Sequence, residues 1–476
     1  MMNYLRMGAL SKKVGVVSFA RLFLSLNNFF IGIIIARALT EELAGTYNQV
    51  IFVINLFSMI FIFGVPTSIY YFLPSLEGRA RKGFFYQSVF ILCAIGVLIS
   101  AAFIFLAGWI GGKFNNPELA PLLRMASLFL FTIVASSFGD AILITVNRHK
   151  AMAALTFVFT GLHFSAVAVP VLLRQPLITV FLLLGFVNLA KFIVSFILCD
   201  RFLPSEPPVF SRALFIQQAA YIIPLGLNSV IDVVSKDLDR TLISYLFNPK
   251  EFAVYHYGAL EIPLIGILIS SVTSVIIPEL ARFKHEGRWE EFGALFRKAS
   301  VKTAVFLFPL FCFLMMLAPQ IYVFVYKKAS YLDSVPIFRA YLFMLPIRIV
   351  PFQAILFALG RTRVVIIGAL VDLFGNLALS LALVGPLGPV GVALGLVLAT
   401  ICQALFYLFV IKGAAHIEWR KLLDAAAFGR IIGSCILACA PCFIFLHLPL
   451  PGLAQLAGSG LAFGAFYLLS LRFLFK

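Results

Sequence analysis

The sequence predicts an all-α, polytopic membrane protein of about fourteen transmembrane helices, arranged as two pseudo-symmetric six-helix lobes plus a C-terminal helix pair. Three observations lead there. Hydrophobic residues make up 62% of the chain and charged residues 12%, against about 45–50% and about 25% in soluble domains. Apolar runs of about twenty residues, enough to cross a hydrocarbon core, recur from end to end. Two short elements recur at nearly equal separations, which implies a repeated half.

The apolar runs fall at about 14–36, 46–73, 84–110, 122–146, 152–173, 177–199, 213–246, 253–280, 301–326, 336–359, 364–385, 390–411, 425–447 and 453–474. Lys12 and Lys13 precede the first run with no small-residue cleavage site after it, so it is read as a retained helix and not a signal peptide. The run at 213–246 is too long for one crossing, and it is expected to bend at Pro224-Leu225-Gly226 or to extend beyond the bilayer. Alternate loops are basic: Arg79/Arg81/Lys82, Arg148/Lys150, Arg201/Arg212, Arg282/Lys284/Arg288/Arg297/Lys298, Arg361/Arg363 and Lys412/Arg420/Lys421. The opposite loops carry only a scatter, so the basic side is expected to be cytoplasmic, with both termini there. A bacterial-type inner membrane is the expected location. The largest inner loop, 281–300, reads as an amphipathic segment with Phe283, Trp289, Phe292 and Phe296 in the membrane interface.

The formal net charge of +17 belongs to these short loops. No compact basic domain is left to bind nucleic acid. The seven cysteines are scattered. Cys435, Cys439 and Cys442 share a helix face, but no second cluster completes a metal site.

Two internal echoes define the lobes. Asp140-Ala-Ile-Leu-Ile-Thr-Val-Asn-Arg-His-Lys150 aligns with Gln353-Ala-Ile-Leu-Phe-Ala-Leu-Gly-Arg-Thr-Arg363, with four identities in eleven at a separation of 213. Leu39-Thr-Glu-Glu-Leu-Ala-Gly-Thr-Tyr47 aligns more weakly with Phe247-Asn-Pro-Lys-Glu-Phe-Ala-Val-Tyr255 at a separation of 208. The expected division is an N-lobe over 1–205, a C-lobe over 206–412 and a C-terminal helix pair over 413–476. The proline-rich stretch 200–212 links the lobes. Each lobe starts on the same side of the membrane, which is the arrangement of parallel-repeat transporters.

No phosphate-binding G-x-x-x-x-G-K-[ST] loop, H-E-x-x-H or G-x-S-x-G occurs. With no large polar loop to house catalysis, a transporter is expected and not an enzyme, with no cofactor.

The element Arg37-Ala-Leu-Thr-Glu-Glu-Leu-Ala-Gly-Thr-Tyr47 resembles the junction that opens polysaccharide flippases of the Wzx type. Residues 247–255 resemble it again, with Asn248-Pro249 and Phe252 in place. Asp237-Leu-Asp239-Arg240 resembles the same family's seventh helix, and Gly360-Arg361-Thr-Arg363 its Gly-Arg turn. The resemblance implies the multidrug/oligosaccharidyl-lipid/polysaccharide exporter fold, two lobes around a cationic cavity. It implies an undecaprenyl-diphosphate-linked oligosaccharide as substrate, with membrane lipids and a glycan polymerase or glycosyltransferases as partners. Thr40-Glu41 departs from the family's usual Gly-Pro. Fourteen spans equally suit a peptidoglycan-precursor flippase. A cation-coupled drug antiporter and a non-transporting membrane scaffold are the other readings.

A diphosphate head calls for basic groups in a wet cavity, because charge-assisted bonds to its oxygens are strong. The in-span bases are Arg21, Lys191, Lys236, Arg240 and Arg348. Arg21 and the span-seven bases occupy equivalent positions in the two lobes and are expected to face each other. Lys236 follows Asp232 by four residues and can be neutralised by it. The in-span acids Asp140, Asp232, Glu261 and Asp372 are the candidates for coupling to H+ or Na+, or for pairing the bases. His163 is expected to be a hydrogen-bonded core histidine. Pro346 and Pro351 bracket Arg348 and are expected to splay the helix there.

Overall fold

In a computed structural model of the chain, residues 2–260, 262–415, 424–448 and 452–474 are described. They form helices α1 (Met2–Ala38), α2 (Glu41–Phe61), α3 (Val65–Phe72), α4 (Gly78–Lys113), α5 (Leu119–Ser136), α6 (Phe138–Thr145), α7 (His149–Leu172), α8 (Leu177–Phe202), α9 (Arg212–Lys236), α10 (Leu238–Leu246), α11 (Pro249–Gly258), α12 (Pro263–His285), α13 (Trp289–Tyr326), α14 (Ser334–Leu342), α15 (Met344–Ile347), α16 (Phe352–Ala358), α17 (Thr362–Leu387), α18 (Pro389–Ala415), α19 (Ala425–His447) and α20 (Gly452–Leu474). Among the described residues, 13 helical segments are long and apolar enough to cross a membrane. The remaining expected span, 253–280, falls on the end of α11 and on α12. The protein is a multi-pass, all-helical membrane protein.

The helices divide into two compact units, Met1–Asp237 with Ser244–Ala253, and Leu238–Ile243 with Val254–Lys476. In the first unit α5 is central, with 61% of its span buried. Its Leu123, Ala126, Leu130 and Val134 are all fully enclosed. Elsewhere apolar side chains point outward, as in α4, where Phe90, Leu98 and Phe105 are largely exposed. An aqueous protein would hide these; a lipid-facing helix need not.

Proline and glycine break the spans where the backbone requires it. The second span ends as a helix at Phe61 and restarts at Val65, turned by Phe63 and Gly64 at φ 52° and 74°. Pro66 sits in the first turn of the new helix, where a missing N–H costs nothing. The run at 213–246 is interrupted after α9. α9 runs on through Pro224 and stops at Asp237, whose φ of −106° and ψ of 12° are not helical. The residues after it, Leu238–Ile243, pack with the second unit.

The echoed elements share backbone geometry as well as sequence. Asn147 at φ 60° is followed by Arg148 at φ −97° and ψ 46°. Its counterpart Gly360 at φ 69° is followed by Arg361 at φ −94° and ψ 50°. Arg148 N–H donates to Leu143 O at 2.7 Å, and Arg361 N–H to Leu356 O at 2.8 Å. Both are left-handed helix ends closed by a bond from the residue beyond to a carbonyl five back. The second echo is a pair of helix caps. Thr40 accepts from Leu43 N–H at 3.3 Å. Asn248 accepts from Glu251 N–H at 3.0 Å while Glu251 accepts from Asn248 N–H at 3.2 Å, a reciprocal capping box. These two junctions also pack together in the first unit. A Cβ on Gly45 would lie 1.8 Å from Pro249 O, and the Phe52 and Phe252 rings are 6.0 Å apart.

The second unit overturns the interfacial reading of 281–300. Phe292 and Phe296 are fully buried on α13, in a core with Leu280, Ile355, Leu356, Tyr407 and Ile411. Phe283 and Trp289 pack at its edge. The apolar stripe faces α12, α16 and α18 and not the membrane surface. The C-terminal pair packs on the same α13, through Phe308–Phe428 and Phe313–Phe463 ring contacts and a 2.8 Å bond from Tyr467 hydroxyl to Val305 O.

Candidate transport site

The charged candidates fall into separate local groups. In the first unit, α1 packs on α7, with the Phe23 and Phe157 rings 4.9 Å apart, and α6 leads directly into α7. Arg21 of α1 and Asp140 of α6 both lie in electrostatic range of the Tyr70 phenol on α3. Arg21, Asp140 and Tyr70 are all exposed. Among the described residues Arg21 and Asp140 do not close into an ion pair with each other, so each keeps its bonding capacity for a ligand. An ionic group facing hydrocarbon costs several kcal/mol; Arg21 and Asp140 stand two and five residues from the ends of the apolar segments Phe19–Ala38 and Leu119–Thr145.

Lys191 is half-buried on α8 and in electrostatic range of His163, whose ring packs against Phe129 at 6.1 Å. Lys236 pairs with Asp232 at 2.7 Å on the outer face of α9, as their spacing allows. That pair is exposed on both sides, 71% and 57%, and such pairs contribute little. Asp232 is thereby the counter-ion of Lys236.

In the second unit Asp372 of α17 accepts from the Thr400 hydroxyl of α18 at 3.0 Å. Arg348 lies at the break between α15 and α16, where Pro351 interrupts the helix at ψ 65°. The expected splay around Arg348 is present. Arg240, half-buried on α10, faces His256 and Tyr341 electrostatically. Glu261 lies outside the described residues.

A group that sequence reasoning missed surrounds Asp239. This carboxylate is 3% exposed. Its Oδ2 accepts from the Tyr255 hydroxyl at 2.9 Å and also from the Tyr341 hydroxyl, and the two hydroxyls are 3.1 Å apart. Tyr255 reads in sequence as a marker of the junction, and it is also the donor that keeps an acid buried. Asp239 neighbours Arg240 in the chain, which was the available signal. Tyr341 lies 102 residues away and nothing local points to it.

A family described as "Polysaccharide biosynthesis protein" matches residues 34–336. The chain belongs to that family. The match takes in both echoed junctions, Asp140, Asp239 and Tyr255, while Tyr341 lies just beyond it. The Wzx-type resemblance read from residues 37–47 and 237–255 is therefore borne out. Among solved structures, this family member is similar to the lipid II flippase MurJ in an inward closed conformation, at 18% identity and a TM-score of 0.77, over 96% of this chain and 99% of that one. It is similar to an inward-facing multidrug resistance MATE family transporter of the MOP superfamily, at 15% identity and 0.66, over 85% and 99%. A MOP superfamily transporter from Pyrococcus furiosus, described as having a binding pocket of reverse polarity, matches at 16% identity and 0.57, over 85% and 96%. At these identities the likeness establishes the fold. No curated protein sequence matches the family member significantly.

Proposed function

We propose that the protein carries an undecaprenyl-diphosphate-linked oligosaccharide from the inner to the outer leaflet of the cytoplasmic membrane by alternating access. The observation that carries this reading is the open Arg21–Tyr70–Asp140 group, a cation and an anion held uncovered within the spans of the first unit. A guanidinium with free donors suits a diphosphate. Membership of a polysaccharide biosynthesis family supports a glycan as the cargo. The fold shared with a flippase and with MATE transporters supports movement between leaflets. In this reading both termini are cytoplasmic, no side chain is catalytic, and no cofactor takes part beyond a coupling H+ or Na+. Asp372 with Thr400 and Asp140 are the candidates for holding that ion. Enzymes that build or polymerise the glycan are its expected partners.

A lipid-linked peptidoglycan precursor is the second reading, favoured by the 0.77 TM-score to the lipid II flippase across 96% of the chain, C-terminal pair included. Both cargoes share the polyprenyl diphosphate and differ in the head. A cation-drug antiporter is disfavoured by Arg21, which repels such a substrate.

The test is reconstitution in liposomes with one fluorescent or radiolabelled lipid at a time, scoring protection from an external sugar-modifying enzyme. The oligosaccharide lipid is expected to move and Arg21→Ala to slow it about tenfold or more, the worth of a charge-assisted bond. Movement of the peptidoglycan precursor alone transfers the assignment to the second reading. Unchanged movement in Arg21→Ala refutes the role given to that residue.

A further inference from the structure

The uncovered face of α3 differs from the outward residues Phe90, Leu98 and Phe105 of α4. Val65, Ser68 and Ile69 turn inward, while Thr67, Tyr70 and Tyr71, followed by Pro74, turn outward at a helical spacing of three, four and seven. Tyr70 is 44% exposed and Tyr71 62%. Lipid-facing α4 presents Phe90, Leu98 and Phe105 instead. Arg21 and Asp140 lie in electrostatic range of Tyr70. The Tyr71 ring stacks on Tyr221 of α9, with centroids 4.8 Å apart and planes at 16°. Phe72 meets Tyr221 edge-on at 5.5 Å, which holds the stack in place.

We propose that this strip is a sugar-binding platform, on which Tyr71, braced by Tyr221, takes the face of a sugar ring while Asp140 takes its hydroxyls and Arg21 is left to the adjoining diphosphate. The proposal rests on the transport reading above and names which part of the cargo the site holds. A pyranose presents polarised C–H bonds on one face, and the electron-rich face of a fixed aromatic ring attracts them. Its vicinal hydroxyls donate to a carboxylate. Acyl chains need neither group, and a diphosphate has no use for Asp140 or for a ring face. A belt of interfacial tyrosines is the competing account; it makes no distinction between lipid heads.

Full-length protein in nanodiscs provides the test, with two probes: undecaprenyl diphosphate bearing a neutral trisaccharide, and undecaprenyl diphosphate alone. Wild type is expected to bind the glycosylated lipid more tightly. Tyr71→Leu, which keeps apolar bulk and removes the ring, is expected to lower affinity for the glycosylated lipid about tenfold and leave the bare lipid within about twofold. Tyr71→Trp is expected to restore the difference, which also shows that the leucine variant did not act through misfolding. If Tyr71→Leu weakens both lipids equally, or neither, the platform is refuted while the transport reading stands. If wild type binds neither lipid, the transport reading fails and the platform fails with it.

Discussion

Asp239 offers the sharpest test of the packing. The carboxylate is buried at the point where the chain leaves α9, in a segment, Leu238–Ile243, that packs with the second unit. Tyr255 and Tyr341 both donate to its Oδ2. A hydrogen bond to a charged acceptor contributes about 1.5–3 kcal/mol. Because the donors share one oxygen, removing either leaves the other in place. Tyr255→Phe and Tyr341→Phe are each expected to destabilise by about 1.5 kcal/mol. Removing both strands a buried carboxylate, and the double variant is expected to lose about 4–5 kcal/mol, more than the sum. Adding Asp239→Leu removes the stranded charge, so the triple variant is expected to recover part of that loss. Thermal unfolding in detergent, followed by intrinsic fluorescence, reads these as shifts of about 1–2 °C per kcal/mol for a chain of this size. Singles at the wild-type midpoint, or a triple variant less stable than the double, would falsify the account of Asp239 as an anchored acid.

Three further variants probe other joints. Gly45→Ala puts a methyl group 1.8 Å from the Pro249 carbonyl oxygen; backbone cannot rotate away, so a loss of about 3 kcal/mol or more is expected on the same thermal assay. Gly360→Ala forces a Cβ into the left-handed region at φ 69° and is expected to cost about 1 kcal/mol, whereas Asn147→Gly at the matching position, φ 60°, should be neutral within about 0.5 kcal/mol; equal effects would break the equivalence of the two turns. Phe292→Ala, in the core of the second unit, is expected to lose about 3–5 kcal/mol, and a thermal midpoint within 1 °C of wild type would restore the interfacial reading of that stripe.

The spans were legible because a bilayer imposes a length and an apolarity that few other structures need. The repeat was legible for a narrower reason. The echo of 140–150 in 353–363 was carried by Ala-Ile-Leu and Arg, and the structure adds that Asn147 and Gly360 between them take the same left-handed conformation. What failed was any reading that depends on a distant partner. The stripe Phe283, Trp289, Phe292 and Phe296 has one periodicity whether it meets a membrane surface or a helix, and only α16 and α18, contributed by residues 352–415, decide between them. The long run at 213–246 is interrupted at Asp237. Leu238–Ile243 packs with the second unit, where Asp239 is held by Tyr341, about a hundred residues further along.

The same limit divides the charged residues. Cost alone says that an ionic group within a span has a purpose, but not which one. For Asp232 and Lys236 the answer was local: one helical turn separates them, and they pair. For Asp239 the purpose is structural, and two tyrosine hydroxyls make its burial tolerable. Arg21 and Asp140 match neither case. They sit on different helices, far apart in sequence, brought to one phenol and left open. A cation and an anion left exposed and not paired with each other, beside two exposed tyrosines, keep their bonding groups open, and that is the feature on which the proposed binding of a polar ligand rests.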